Sequence, residues 1–315
     1  MPPLLTLFTA PKPFTNPHID IIQRNALRSW QSLGEAVEVV LIGDEEGMAE
    51  AAADLNLRQI KQVRTNQNKT PLLSSIFDLG RSINQSPFLA YVNADIILFP
   101  SVLAALHVTA EQFSKYLIVS QRWDLDLKEQ LAFDGQWHDQ LLKTVHSQGK
   151  LHARAGSDIF IYPRSCFEKI PDFAVGRAGW DNWMIYYARL QRWPVVDITQ
   201  ATDIVHQNHD YSHLPGGQPH YKLPETTVNV ALAGGKKTVF TLDDVSHEVR
   251  NGQVRPVKKT VNRILREIEI FPIIRLRSRI LNAMSYAIFH PRDAYGDLRA
   301  WLAGSSKSDK EGRSK

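Results

Sequence analysis

Four short apolar runs separated by three stretches of helical spacing fill the first hundred residues, and that alternation leaves few architectures open. Leu4 to Thr9 stops at Ala10-Pro11-Lys12-Pro13, where the prolines let neither strand nor helix continue. It reads as a first, central strand followed by a loop. Ile19 to Leu33 sets Ile22, Ala26, Leu27 and Trp30 on one helical face and ends at Gly34. Val37 to Ile42 is a second buried strand, followed by the loop Gly43-Asp44-Glu45-Glu46-Gly47. Met48 to Leu55 reads as a helix, Gln59 to Val63 as a third strand and Leu72 to Ile83 as another helix. The fourth apolar run, between Pro87 and Pro100, is a further buried strand. A βαβαβαβ order implies a mostly parallel sheet covered by helices. Ligands of such sheets gather at the carboxyl ends of the strands. The loops after Thr9, Ile42, Val63 and Val92 are therefore expected to open on one edge. The first strand is not followed by Gly-X-Gly-X-X-Gly, and Gly-X-X-X-X-Gly-Lys is missing, which speaks against a dinucleotide site and a P-loop.

The fourth run carries an interruption, Asn93-Ala94-Asp95, between Phe88–Val92 and Ile96–Phe99. With side chains alternating at period two, Asn93 and Asp95 are expected on one strand face. A carboxylate in so apolar a setting is costly unless it is paired or holds a cation. Asp95 therefore caps a turn, is neutralised by a neighbouring arginine, or binds a metal. Three later stretches stand out in the same way. In Ala155 to Arg164, small residues lead into a strand with Asp158 at its mouth. In Gly176 to Leu190 a glycine-rich loop runs into an amphipathic helix with Asp181 near its first turn, a position where aspartate often serves as a cap. In Asp203 to His213 the strand-like Ile204-Val205 delivers His206 into a polar loop. Between Leu117 and Lys150, after a strand at Leu117 to Ser120, Trp123, Phe133 and Trp137 read as packing or as part of a covering loop.

Asn93-Ala94-Asp95 resembles the Asp-X-Asp element of GT-A fold glycosyltransferases, with Asn93 in place of the first aspartate. The phrases QRNALRSW, GDEEG, GWDNWMIYYA, VHQNHDYSH and NVALAGG together resemble a bacterial group of GT-A-like proteins, over roughly the first four-fifths of the chain. The resemblance implies a mixed, mostly parallel α/β sheet flanked by helices, the GT-A or nucleotide-diphospho-sugar transferase-like architecture. It implies transfer of a sugar from a nucleotide-diphosphate donor, a UDP-sugar first among them, to the hydroxyl of a saccharide or lipid-linked acceptor. Asp95 and His206 would hold Mn2+ or Mg2+, which offsets charge on the departing diphosphate. Asp181 matches the carboxylate that serves as general base in inverting members, although Trp180 replaces the usual preceding acid. Thr9, Asp44, Asn93 and Asp158 fall where donor contacts are expected, Asp44 toward the base or ribose and Asp158 toward the sugar; a solvated acidic turn explains Asp44 equally well. His206, His209 and His213 would make a weaker zinc cluster, with no cysteine to join them.

Composition adds bounds. A single cysteine, Cys166, rules out an internal disulfide framework and suits a reducing compartment. The first residues lack the basic-then-apolar layout of a signal peptide, and no apolar run approaches a membrane span. The expectation is a cytoplasmic protein, soluble or peripheral on the inner face of a membrane. The net charge of +4 is uneven, with Lys and Arg concentrated after Lys236, especially between Arg255 and Arg279. There Val257, Val261, Ile264, Leu265 and Ile268, then Ile273, Leu276, Ile280, Met284 and Ala287, form two basic amphipathic helices around Pro272. Such helices pack on a catalytic domain or lie on an anionic bilayer. The expected organisation is a catalytic domain over 1–250, this helical appendage over 251–303 and a disordered tail over 304–315. No nucleic acid is expected, because the basic tail lacks interleaved aromatics. Two rivals stay open: a sugar nucleotidyltransferase, whose glycine-rich first loop is missing here, and a binding protein that kept the fold and lost the chemistry.

Overall fold

The computed structural model describes residues 2–210 and 223–299, and the chain divides into two compact units, Met1–Val257 and Lys258–Lys315. The first unit opens as the alternation predicts: β1 (Leu5–Thr9), α1 (Pro17–Gln31), β2 (Val37–Ile42), α2 (Met48–Asp54), β3 (Arg58–Ile60), α3 (Leu73–Ser82) and β4 (Phe88–Val92). Helix α1 begins two residues before Ile19. The Asn16 side chain accepts from the His18 and Ile19 backbone N–H groups, and Pro17 fits the first turn.

After β4 come β5 (Ile96–Leu98), α4 (Ser101–Gln112), β6 (Leu117–Val119), β7 (Trp123–Leu125), α5 (Trp137–Gln148), β8 (Lys150–Leu151) and β9 (Ile159–Pro163). Then follow α6 (Trp180–Leu190), β10 (Val195–Asp197), β11 (Ile204–Gln207), α7 (Pro224–Leu232), β12 (His247–Arg250) and β13 (Gln253–Pro256). Nine of these strands form one sheet in the order β13-β12-β10-β6-β9-β4-β1-β2-β3. Within it β9 runs antiparallel to β4 and β6, and β13 closes a hairpin with β12; the other pairings are parallel. The sheet is thus mostly parallel, with helices supplying its crossovers.

Pro87 to Pro100 is not one strand. It divides into β4 and β5, and β5 belongs to a second sheet of order β5-β11-β7-β8. Asn93, Ala94 and Asp95 are the crossing between the sheets, so Asn93 and Asp95 do not share a strand face. His206 likewise sits inside β11, paired with Ile96 of β5 and Asp124 of β7, rather than in the loop beyond it.

The core is built on β1, every residue of which is buried. Leu5 and Leu7 join α1 and β2 in the larger apolar cluster. On the opposite face Phe8 meets the Phe77 ring edge-on at 5.2 Å, and Phe77 stacks on Tyr91 at 5.5 Å. Gly80 of α3 makes this fit possible, since a Cβ there would lie 2.7 Å from two atoms of the Phe8 ring. Cys166 is free and buried.

Gly80→Ala is expected to lower unfolding free energy by about 2 kcal/mol, overpacking outweighing the alanine's helix propensity. Chemical denaturation checks it; an unchanged midpoint would mean that the Phe8 ring yields freely.

Candidate active site

The site begins where the chain leaves the large sheet. The Asp95 carbonyl accepts from the Gln207 backbone N–H at 3.1 Å and from Gln207 Nε2 at 3.3 Å. That same buried amide donates to the Ile22 carbonyl at 2.7 Å, and its oxygen accepts from Asn25 Nδ2 at 3.0 Å. Farther along α1, Trp30 Nε1 donates to the Ile96 carbonyl (2.8 Å), and the Ser29 hydroxyl accepts from the Leu98 N–H (3.1 Å). Helix α1 therefore satisfies the backbone of β5 on its side away from β11, and polar groups so buried must be paired. The segment Gln23–Trp30 is, in physical terms, the clamp that fixes where Asp95 sits.

Asp95 is buried, and its Oδ2 accepts from Lys12 Nζ at 2.9 Å. Lys12 comes from the Pro11-Lys12-Pro13 loop after β1, and Gln23 holds its backbone from both sides, accepting from the N–H (2.7 Å) and donating to the carbonyl (3.0 Å). His209 Nε2 lies 3.1 Å from Asp95 Oδ2 and 2.8 Å from Lys12 Nζ. His209 Nδ1 is also 2.7 Å from the Asp210 carbonyl. The Lys12 ammonium is thus within hydrogen-bond reach of both the carboxylate and the imidazole. Burial works against ionisation of Asp95, but Lys12 and the His209 and His206 rings more than offset it and hold the carboxyl well below its usual range.

Asp95, His206 and His209 each offer a ligand atom, all within 4.8 Å of one another. Among the described residues, Asp95 Oδ1 and His206 Nδ1 are buried with no hydrogen-bond partner. His206 Nδ1 does lie 3.3 Å from Asp124 Oδ1, an ion-pair distance without hydrogen-bond geometry. One carboxylate and two imidazoles fit Mn2+ better than Mg2+, which prefers oxygen. The residues present thus fit a divalent cation, with an orphaned carboxylate oxygen already in place. Asp95 is neutralised by a lysine, where the sequence suggested an arginine.

A second chain of contacts runs along the same edge. Because β9 is antiparallel to β4, Val92 pairs with Ile159 and Asp158 arrives beside Asn93. Asn93 Nδ2 donates to Asp158 Oδ1 at 2.7 Å, and Arg122 Nη1 donates to Asp158 Oδ2 at 2.7 Å. Arg122 Nε continues to Asp124 Oδ1 (3.0 Å), and His152 Nδ1 meets Asp124 Oδ2 (2.7 Å). Desolvation would raise the Asp124 pKa, yet contacts with His206 and His152 and the Arg122 charge keep it far below the ordinary value. This network explains Asn93. An aspartate in its place would face the Asp158 carboxylate, whereas the amide donates to it.

Asp181 lies on the first turn of α6, half-buried, with its Oδ1 accepting from the Gly179 N–H at 3.3 Å. A Cβ on Gly156 would lie 2.4 Å from Asp181 Oδ2, so a side chain there would push the carboxylate from its present position. Burial pushes the Asp181 pKa up to about 6 against nearby backbone N–H groups, and the Asp158 charge adds to the rise. Trp180 anchors the helix below it, packing on Tyr91 at 5.2 Å and Phe160 at 5.1 Å. Thr9, at the carboxyl end of β1, is buried with an unpartnered Oγ1. Asp44 forms an exposed ion pair with Lys61 (3.3 Å), and no hydrogen bond or ion pair joins it to the cluster. His213 lies outside the described residues, so the three-histidine zinc grouping is not described as such.

Sequence reasoning passed over Lys12, Arg122, Asp124 and His152, and weighed His209 only for zinc. A charged residue between two prolines at the end of a central strand was the available signal for Lys12.

No protein-family model matches the chain, and no curated protein matches it. Among solved structures, the chain is similar to glucosyl-3-phosphoglycerate synthase from Mycobacterium tuberculosis in complex with Mg2+ and UDP, at 13% identity and TM-score 0.46, over 74% of this chain and 80% of that one. It is also similar to S. aureus TarS in complex with UDP-GlcNAc, at 9% identity and TM-score 0.43, over 66% and 60%. A mannosyltransferase from Pyrobaculum calidifontis in complex with GDP-Man and Mn2+ follows, at 10% identity and TM-score 0.42, over 68% and 59%. All three scores lie below 0.5, and the fold described above rests on the chain's own topology.

Removing the resident ammonium while keeping the stem, as in Lys12→Met, is expected to tighten Mn2+ binding, and Asp95→Asn to weaken it by about tenfold or more. Mn2+ titration followed by electron paramagnetic resonance checks both. Weaker binding by the Lys12 variant would show that the lysine supports the ligands instead of competing for them.

Proposed function

We propose that the first unit is a GT-A-type glycosyltransferase that moves a sugar from a nucleoside diphosphate, UDP foremost, to an acceptor hydroxyl in a single inverting displacement. The observation that carries this reading is the opposed tuning of two carboxylates on one sheet edge. Asp95 is held ionised beside a cation, while Asp181 is pushed up to about 6. Environments that drive two carboxyls apart assign them different work.

Asp181 is the general base. A carboxyl with a pKa of about 6 is ionised near neutrality yet basic enough to take a proton from a hydroxyl as it attacks. The acceptor oxygen bonds to the anomeric carbon, that carbon's bond to the diphosphate oxygen breaks, and the proton rests on the Asp181 carboxylate. Asp95, His206 and His209 hold the divalent cation, which when bound neutralises charge on the departing diphosphate. Asn93, Arg122 and Asp158 orient the donor sugar side of the edge, and Thr9 Oγ1 is a free polar group toward the nucleotide. Asp44 takes the base or ribose in this reading.

Two measurements test it. A thermal-shift panel of UDP and GDP is expected to show stabilisation that depends on Mn2+, since a ligand bound only by the folded state raises the melting point. No shift with any nucleoside diphosphate would sink the donor assignment.

Asp181→Asn is expected to lower kcat by about a hundredfold or more, and wild-type kcat/KM to climb with pH and level off above about 6. The stability effect has the opposite sign. The folded-state pKa lies above the 3.8 of a free aspartate, so ionisation destabilises the fold progressively from pH 3.8 through about 6. The Asn variant should therefore melt higher than wild type at neutral pH and equally at pH 3.8 or below. A variant that keeps its activity while gaining stability would remove Asp181 from the chemistry.

A further inference from the structure

The second unit leaves much of its apolar surface in water. Its described helices are α8 (Val261–Ile274), α9 (Arg279–Phe289) and a helical stretch over 291–299. What α9 buries is polar, Asn282 and Ser285. Ser285 Oγ donates to the Glu269 carbonyl of α8 (2.8 Å), while Arg266 Nη1 and His290 Nε2 reach the Glu269 carboxylate (2.9 and 2.8 Å). What α9 exposes is apolar: Ile280 is 76% exposed, Met284 58% and Ile288 74%. Helix α8 buries Ile270, Ile273 and Ile274, yet it too leaves apolar side chains in water, Val261 at 72% and Ile268 at 55%. At about 100° per residue, Val261, Ile264, Leu265, Ile268 and Phe271 fall within an arc of roughly 120°. An apolar face of this extent in contact with water marks an interaction surface.

Charge identifies the partner. The turn between the helices reads Arg275-Leu276-Arg277-Ser278-Arg279-Ile280, three arginines alternating with two exposed apolar side chains. From Ile270 to Arg292 the sequence has no acidic residue. Apolar side chains interleaved with arginines match a boundary where acyl chains meet phosphates. A second copy of this unit would bring like charges together at the same turn. At 1.5 Å per residue α8 and α9 are about 21 and 16 Å long. No described helix is long and apolar enough to cross a membrane.

We propose that α8 and α9 dock in the plane of an anionic lipid bilayer, with Ile264, Ile268, Ile280, Met284 and Ile288 in the acyl boundary and Arg275, Arg277 and Arg279 on lipid phosphates. The docking rests on the second unit alone and does not depend on the transfer reaction.

The test is co-sedimentation of the full chain with vesicles of phosphatidylcholine, alone or with about one-third phosphatidylglycerol. Binding is expected on the anionic vesicles, falling with salt. At about fivefold per arginine, the triple variant Arg275→Gln, Arg277→Gln, Arg279→Gln should lose on the order of a hundredfold in partitioning. Ile280→Ser with Ile288→Ser, both at exposed positions, should lose about tenfold or more with an unchanged circular dichroism spectrum. Equal binding to neutral vesicles, no binding to either kind, or full binding by the isoleucine variant would each overturn the proposal. So would a concentration-dependent dimer in sedimentation velocity that the isoleucine variant abolishes, which would assign the face to a second copy.

Discussion

A carboxylate buried between two sheets cannot stand without a positive partner, and the first unit is arranged around meeting that demand at Asp95. The partner in place is Lys12, delivered by a loop whose prolines stop β1 and whose backbone Gln23 holds from both sides. The peptide of Asp95 is fixed as firmly as its side chain, through Gln207 and, behind it, Asn25 of α1. One helix thus sets both the cation and the anion. The apolar face of α1 holds it on the sheet, while its polar positions place the chemistry.

The same edge carries a second carboxylate tuned the other way. Asp181 packs against Gly156, poorly solvated and near the Asp158 charge, so its proton is held more tightly. Asp158 is restrained by Asn93 and Arg122, and Arg122 connects it to Asp124 and the histidines beside it. Mutual dependence of this kind accounts for the asparagine at position 93. Its amide is a donor in a place already crowded with acceptors, and an aspartate there would add a charge that Asp158 could not tolerate.

Much of this was legible in the residue pattern. Apolar runs bounded by proline and glycine located β1, β2 and β4, and the spacing of Ile22, Ala26, Leu27 and Trp30 located α1, because burial demands a matching periodicity. Asp95, His206, Asp158 and Asp181 drew notice as charges at the ends of apolar segments. The break of Pro87 to Pro100 into two strands was not legible. A period-two pattern is the same whether a strand continues or changes sheets, and only the pairing of Ile96–Leu98 with β11 separates the cases. Lys12 was read as part of a structure-breaking loop, since nothing local says that its side chain reaches a residue 83 positions away.

The sequence by itself determined where most of the elements lie, that the large sheet is mostly parallel, and that two basic amphipathic helices follow the last strand. Those are consequences of local periodicity and backbone chemistry. The tertiary structure alone decided which charges meet: Lys12 with Asp95 and His209, Asn93 with Asp158, and the pocket that raises Asp181. It also decided that Ser285 of α9 turns to Glu269 of α8, that α8 buries Ile270, Ile273 and Ile274, and that Ile264, Ile268, Ile280 and Ile288 are left in water. Amphipathicity fixes that a helix has two faces, but the direction each one turns depends on what the rest of the fold, or a bilayer, sets against it.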